Sequence, residues 1–180
     1  MIEYSIAASG QTLVFSGTVI EHVLSNRQTK ARDHEAGGQL FARVSRYEIY
    51  VADATGPRTS DRRTRLSYRP DRKLEQAEID ESQRRGLVFV GDWHTHPELI
   101  PEPSTQDLVS ISECFRKSSH HLNAFLLVVV GASAAPKDLH VSLHDSGGLV
   151  TNLAGSRVQP LGVVHLQKPR FKHEWLREKI

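Results

Sequence analysis

Leu87-Val88-Phe89-Val90-Gly91-Asp92-Trp93-His94-Thr95-His96-Pro97 is the stretch from which the rest of the chain can be read. Its opening residues are mostly β-branched, aromatic or aliphatic, which predicts a strand over 87–93. That strand delivers two histidines two positions apart. Side chains of a strand alternate between faces, so both imidazoles project from the same side and can reach one ion. Pro97, Pro101 and Pro103 keep the following loop out of regular structure. Ser104 then opens a helix, and Ser104-Thr105-Gln106-Asp107 reads as a cap with an acidic third residue. Asp107 therefore falls in the first turn, while Leu108, Ile111 and Phe115 mark one helical face.

Working outward, the apolar run Ala124-Phe125-Leu126-Leu127-Val128-Val129-Val130 predicts a central strand, with 139–144 as its neighbour and Gly147-Gly148 as a turn. Upstream, a strand is expected over 12–15 and a helix over 17–32, with Val19, Ile20, Val23 and Leu24 on one face. Glu35-Ala36-Gly37-Gly38 ends that helix and opens a strand over 39–44. Ser45-Arg46 turns into a second strand over 47–54, which Gly56-Pro57 terminates. Residues 58–69 read as a loop with some extended structure and a solvated cluster of arginines. A polar helix is expected from Pro70 to Gly86, with the proline in its first turn. Residues 162–166 could form one more strand ahead of a charged end. Helices among mixed strand pairs predict an α/β (α+β) class with a mixed β-sheet flanked by helices. The 180 residues suit one domain over 1–180, with 160–180 as a C-terminal tail.

Composition narrows the function. The longest apolar run is strand-sized, whereas a membrane span needs about 20 residues. The start, Met1-Ile2-Glu3-Tyr4, lacks the features of a leader peptide, so a cytoplasmic protein is expected. A single cysteine, Cys114, excludes an internal disulfide framework and leaves any metal to His, Asp and Glu. With 23 Lys plus Arg against 21 Asp plus Glu, the net charge of +2 does not call for nucleic acid.

Position must then choose among ten histidines. His94, His96 and Asp107 offer two nitrogens and one carboxylate oxygen from a strand end and a helix start. Such a set leaves a fourth tetrahedral position for water, the layout of a catalytic zinc site. Glu35, ahead of Gly37-Gly38, is the candidate general base and acid. Glycines there would let the backbone approach a substrate. Ser104 could donate to an oxyanion. The plainer readings are a structural thiol for Cys114, helix-ending cations for His120 and His121, and a turn around His144-Asp145-Ser146.

Glu35, His94-Thr95-His96-Pro97, Ser104 and Asp107 together resemble the signature of the JAMM (JAB/MPN-plus) metalloproteases. The resemblance covers roughly residues 13–130. It implies the MPN/JAB, cytidine-deaminase-like fold and a Zn2+ ion held by His94, His96 and Asp107, with Glu35 and Ser104 catalytic. It also implies isopeptidase activity on a ubiquitin-like or similarly conjugated protein. Gly91-Asp92-Trp93 before the histidines and Pro103-Ser104 after them are similar to small bacterial members, in particular the deconjugating peptidases of anti-phage operons. Those act opposite an E1–E2-like ligase that joins a cyclic-nucleotide synthase (CD-NTase, in CBASS operons) to a target. Three alternatives stay open on the sequence: a peptidase for a sulfur-carrier protein ending in Gly-Gly, a non-catalytic MPN scaffold, and a RadC-like DNA-associated protein. No membrane partner is expected.

Overall fold

The computed structural model describes residues 1–135 and 138–158. Along the chain run β1 (Ile2–Ile6), β2 (Gln11–Phe15), α1 (Gly17–Ser25), β3 (Gly37–Val44), β4 (Glu48–Ala54), β5 (Arg62–Thr64) and β6 (Ser67–Arg69). They are followed by α2 (Arg72–Arg84), β7 (Val88–Thr95), α3 (Thr105–Lys117), β8 (Ala124–Val130), β9 (His140–Asp145), β10 (Val150–Asn152) and β11 (Gly155–Val158). Nine strands form one mixed sheet in the order β10-β9-β8-β7-β3-β4-β2-β1-β11, and β5-β6 stand apart as a hairpin. Only β7–β8 and β2–β4 pair parallel. This is the expected class.

The run at 124–130 is apolar at every position because β8 is covered on both faces. Leu126, Val128 and Val130 join a core with Phe15, Val19, Val23 and Trp93 under α1. Phe125, Leu127 and Val129 join a second core with Phe41, Phe89 and the Ile111 and Phe115 of α3. Gly91 sits at a bulge in the β3–β7 ladder, with φ of 146°, where a Cβ would lie 1.9 Å from the Leu126 carbonyl oxygen. A bulge bends its strand and re-aims the side chains beyond it; here those are His94 near the end of β7 and His96 just past it.

The structure departs from the sequence-based expectations at several elements. The helix expected over 17–32 stops at Ser25. The side chains of Ser25 and Asn26 take the His22 carbonyl, at 2.7 and 2.9 Å, competing with the backbone N–H that would continue the helix. Pro70 lies outside α2 rather than in its first turn, because Asp71 caps the helix through Lys73 N and Leu74 N. Gly37 and Gly38 belong to β3, a strand two residues longer than expected. β1, β10 and β11 were not anticipated. In β1 the alternation of buried Ile2, Tyr4 and Ile6 was a legible signal, whereas β10 is three exposed residues. The strand expected over 162–166 lies outside the described residues. Among those described, no helix is long and apolar enough to cross a membrane.

Candidate metal centre and active site

The last residues of β7 carry the histidines. Thr95 N donates to Ala36 O at 2.8 Å and His96 N to Val130 O at 2.9 Å, so neighbouring strands hold the histidine pair on both sides. The two Nε2 atoms lie 3.2 Å apart. Across from them, Ser104 caps α3: its Oγ accepts from Asp107 N at 3.2 Å, while its own N–H donates to Asp107 Oδ2 at 2.7 Å. This reciprocal cap satisfies otherwise orphaned donors. It also fixes the Asp107 carboxylate, whose Oδ2 stands 3.3 Å from His94 Nε2 and 3.4 Å from His96 Nε2.

Three ligand atoms thus form a triangle with edges of 3.2, 3.3 and 3.4 Å. Zinc bonds of about 2.0–2.2 Å in a tetrahedron require ligand separations of about 3.3–3.6 Å, so the donor set fits that ion in type and spacing. A second, looser trio overlaps it: Glu35, His94 and His96 place one ligand atom each within 4.8 Å of one another. The tighter triangle suits the ligands, with Glu35 within 4.8 Å of both histidines.

Glu35 is 6% exposed, in the loop between α1 and β3, with its N–H donating to Thr64 O of the hairpin at 2.7 Å. Burial pushes its carboxyl above the usual range, against the pull of His94 and His96. Burial also acts on Asp107 and His96 by disfavouring charge, but hydrogen bonds from His94 and His96 win at Asp107 and the bond to Asp107 wins at His96. Asp107 is held well below the usual carboxylate range and His96 is raised. Glu35, His96, Ser104 and Asp107 line a cleft of about 720 Å³, walled on one side by Leu66–Pro70 and on the other by Pro97 and Glu98. Beneath it a smaller cavity of about 100 Å³ reaches Asp92, whose carboxyl burial and the nearby Glu75 raise to about 7.

Glu35, His94, His96, Ser104 and Asp107 therefore meet in one place. The glycines do not play the part expected of them. A Cβ on Gly38 would lie 1.8 Å from Thr55 O, and one on Gly37 would lie 2.7 Å from the Tyr68 ring. Their smallness admits the protein's own turn and hairpin, not a substrate. The arginine stretch is not uniformly solvated either, because the Arg58 side chain is 7% exposed and ion-paired with Glu78. His120 lies beyond the end of α3, edge-on to Phe115 and tilted against Phe125, with Nε2 3.0 Å from Phe115 O. Cys114 is half-buried, its thiol pushed up to about 12 by burial, as suits a structural thiol. His34 is exposed.

Two residues that hold the site together were missed. Thr95 Oγ1 accepts from Ala36 N at 2.9 Å and donates to Gln28 Oε1 at 3.2 Å. Gln28 Nε2 in turn donates to Arg65 O at 2.7 Å. One buried chain of hydrogen bonds thus joins the histidine strand, the Glu35 loop and the hairpin. Thr95 sits between the histidines, a usable signal. Gln28 fell inside a helix that does not extend that far.

Residues 19–143 match the family model described as prokaryotic homologs of the JAB domain. A Vibrio cholerae protein named CD-NTase/cGAS isopeptidase is 32% identical over 124 residues, 66% of this chain and 76% of that one. A Pseudomonas aeruginosa protein of the same name is 32% identical over 148 residues, 79% and 89% of the two chains. A Sinorhizobium fredii protein named probable metalloprotease y4qB is 37% identical over 95 residues, 50% and 57%. Among solved structures, protein DSY2949 from Desulfitobacterium hafniense superimposes with a TM-score of 0.50 at 19% identity, covering 78% and 88%, which supports the fold. With a family model matching residues 19–143, most of its length, the chain belongs to the prokaryotic JAB family.

Proposed function

We propose that the protein is a zinc-dependent isopeptidase that hydrolyses the bond after the C-terminus of a ubiquitin-like or similarly conjugated protein, reversing E1–E2-like ligation in bacterial anti-phage defence. The observation that carries this reading is the triangle of His94 Nε2, His96 Nε2 and Asp107 Oδ2 with buried Glu35 close by. The names of the relatives from Vibrio cholerae and Pseudomonas aeruginosa point to the CD-NTase as the conjugated protein.

Zinc held by these three side chains supplies a Lewis acid that polarises a carbonyl and acidifies water near neutral pH. The protein supplies the remainder. Glu35, with its pKa raised by burial, takes a proton from the attacking water and returns it to the leaving amine, a task suited to a carboxyl tuned upward. Asp107 stays ionised and orients both imidazoles. Ser104 positions Asp107 through its cap, and its hydroxyl hydrogen is free to donate to the oxyanion because Oγ acts as acceptor in that cap.

The test is a reporter fused behind the C-terminus of the CD-NTase from the neighbouring operon, incubated with wild type and with Glu35→Ala. Release by wild type alone, stopped by a zinc chelator, is expected. Intact fusion in the presence of folded, zinc-loaded protein would reject the CD-NTase as substrate, and a Gly-Gly-ending sulfur carrier fused to the same reporter would take its place. Folded protein without zinc by elemental analysis would reject the reading altogether.

A further inference from the structure

The seven basic residues between Arg58 and Lys73 are not equivalent in the folded chain. Arg58 is buried among Asp61, Glu75 and Glu78. Arg65 donates to Lys30 O and Ala31 O at 3.1 and 2.8 Å, tying the hairpin to the Glu35 loop. Arg72 pairs with Glu75 at 2.8 Å. Arg62 and Arg69 are exposed and have no carboxylate partner among the described residues, yet they are direct cross-strand neighbours in the β5–β6 ladder. They share a face with Thr64 and Ser67, whose hydroxyls meet at 2.7 Å, while Tyr68 points inward to Asp61 and Gly37.

Like charges directly opposed in a ladder are destabilising, and a hairpin of two three-residue strands has little stability of its own. The frame bears the repulsion: Glu35 N holds Thr64 O, Gln28 holds Arg65 O, and Asp61 Oδ1 accepts from Asp71 N at 2.8 Å. The hairpin backbone is thereby held, and Arg62 and Arg69 leave it side by side from directly opposed positions. Adjacent planar guanidinium forks are well suited to carboxylates. Arg69 also lines the metal cleft, so the hairpin face adjoins it.

We infer that the outer face of the β5–β6 hairpin, through Arg62 and Arg69, docks an acidic segment of the conjugated protein next to the C-terminal stretch that enters the cleft. The inference rests on the isopeptidase reading for what occupies the cleft. Two arginines opposed on one hairpin face, in a chain of net charge +2, suit a few carboxylates. A nucleic acid would call for a broader basic surface, since phosphate-reading proteins make on the order of six to ten such contacts.

The test uses full-length, zinc-analysed protein and three fluorescein-labelled probes: an alternating Glu-Gly dodecapeptide, its Gln-Gly counterpart, and a single-stranded DNA of the same length. Anisotropy should show selective binding of the Glu-Gly peptide, weakening as salt rises. R62E/R69E should bind it at least about tenfold more weakly, since juxtaposed like charges are strongly unfavourable. The charge-matched R43E/R46E, exposed at the end of β3 and in the turn after it, should bind like wild type. Melting midpoints and zinc content of both variants should match wild type. Equal binding of the two peptides, equal loss in R43E/R46E, or tighter binding of DNA would each overturn the docking site. Zinc and CD-NTase reporter cleavage measured in the same preparations separate the two ideas. Peptide selectivity without zinc or cleavage would sink the isopeptidase reading alone, and zinc with cleavage but no selectivity would sink the docking site alone.

Discussion

β7 and β9 both carry alternating histidines, and only one of them makes a site. On β7, His94 and His96 face the carboxylate of Asp107, and His96 is raised by it despite burial. On β9, His140 and His144 flank Ser142, and burial lowers both, helped at His140 by His94 and opposed by Glu102. His144 is satisfied by Ser142 Oγ at 2.8 Å, whereas the buried Nε2 of His140 has no partner among the described residues. Through Val129, His140 is even in the same row of the sheet as His94, but two strands away, about 10 Å between backbones. Histidine spacing on a strand is therefore not enough. What distinguishes β7 is a capped helix that aims a carboxylate at it.

Asp107→Asn should break the contrast most completely. Zinc measured by elemental analysis should fall to background, and affinity in a chelator competition should drop by more than the roughly 10–100-fold typical of losing an outer hydrogen-bond partner. Full zinc retention in this variant would place the ion elsewhere. Glu35→Gln should keep zinc and lower reporter cleavage by about 10²–10⁴-fold, the usual contribution of a positioned acid–base group. In wild type the acidic limb of the pH profile should lie above the ordinary carboxyl range, because burial raises Glu35, and the variant should lack that limb.

Thr95→Val tests the framework behind the histidines. It strands the buried Ala36 N–H and Gln28 Oε1, each of which costs about 1–3 kcal/mol when unpaired. Denaturant midpoints should show that loss, and Thr95→Ser should restore most of it.

The smallest effect is in the pH dependence of melting after zinc is removed. The raised His96 adds stability below the ordinary imidazole value and loses it as pH rises through the raised one. The lowered Asp107 adds stability above the ordinary carboxyl value and loses it as pH falls toward the depressed one. The two overlap between about pH 4 and 6.5, so the gap between wild type and Asp107→Asn should be widest at about pH 5–6 and narrow, without closing, at alkaline pH. The β9 histidines act with the opposite sign: lowered in the folded state, they cost stability as pH falls below about 6.5. His144→Gln should make the protein less acid-sensitive, and unchanged acid sensitivity would show that β9 is not the source.

Much of this was legible in the sequence because it is local. The strand over 88–95, the doubly buried strand over 124–130 and the capped helix after Ser104 are each written in a few consecutive residues. The pairing of His94 with His96 follows from strand geometry, and the place of Asp107 follows from the cap. The end of α1 was not legible, because it depends on whether Ser25 and Asn26 turn back to the His22 carbonyl. The role of Gln28 was hidden for the same reason, since its partners lie on three other segments.

The sequence by itself determined the ligand types, their mounting on a strand end and a helix start, and the class of chemistry they permit. Periodicity and capping act over a few residues and need no partner to be read. Only the tertiary structure decided that Gly37 and Gly38 make room for the protein's own turn and hairpin, that Arg58 is buried while Arg62 and Arg69 are left facing each other, and that His140 stands two strands away from His94. Those outcomes depend on strand order and on which distant backbone atoms come into contact, and nothing local in the chain encodes them.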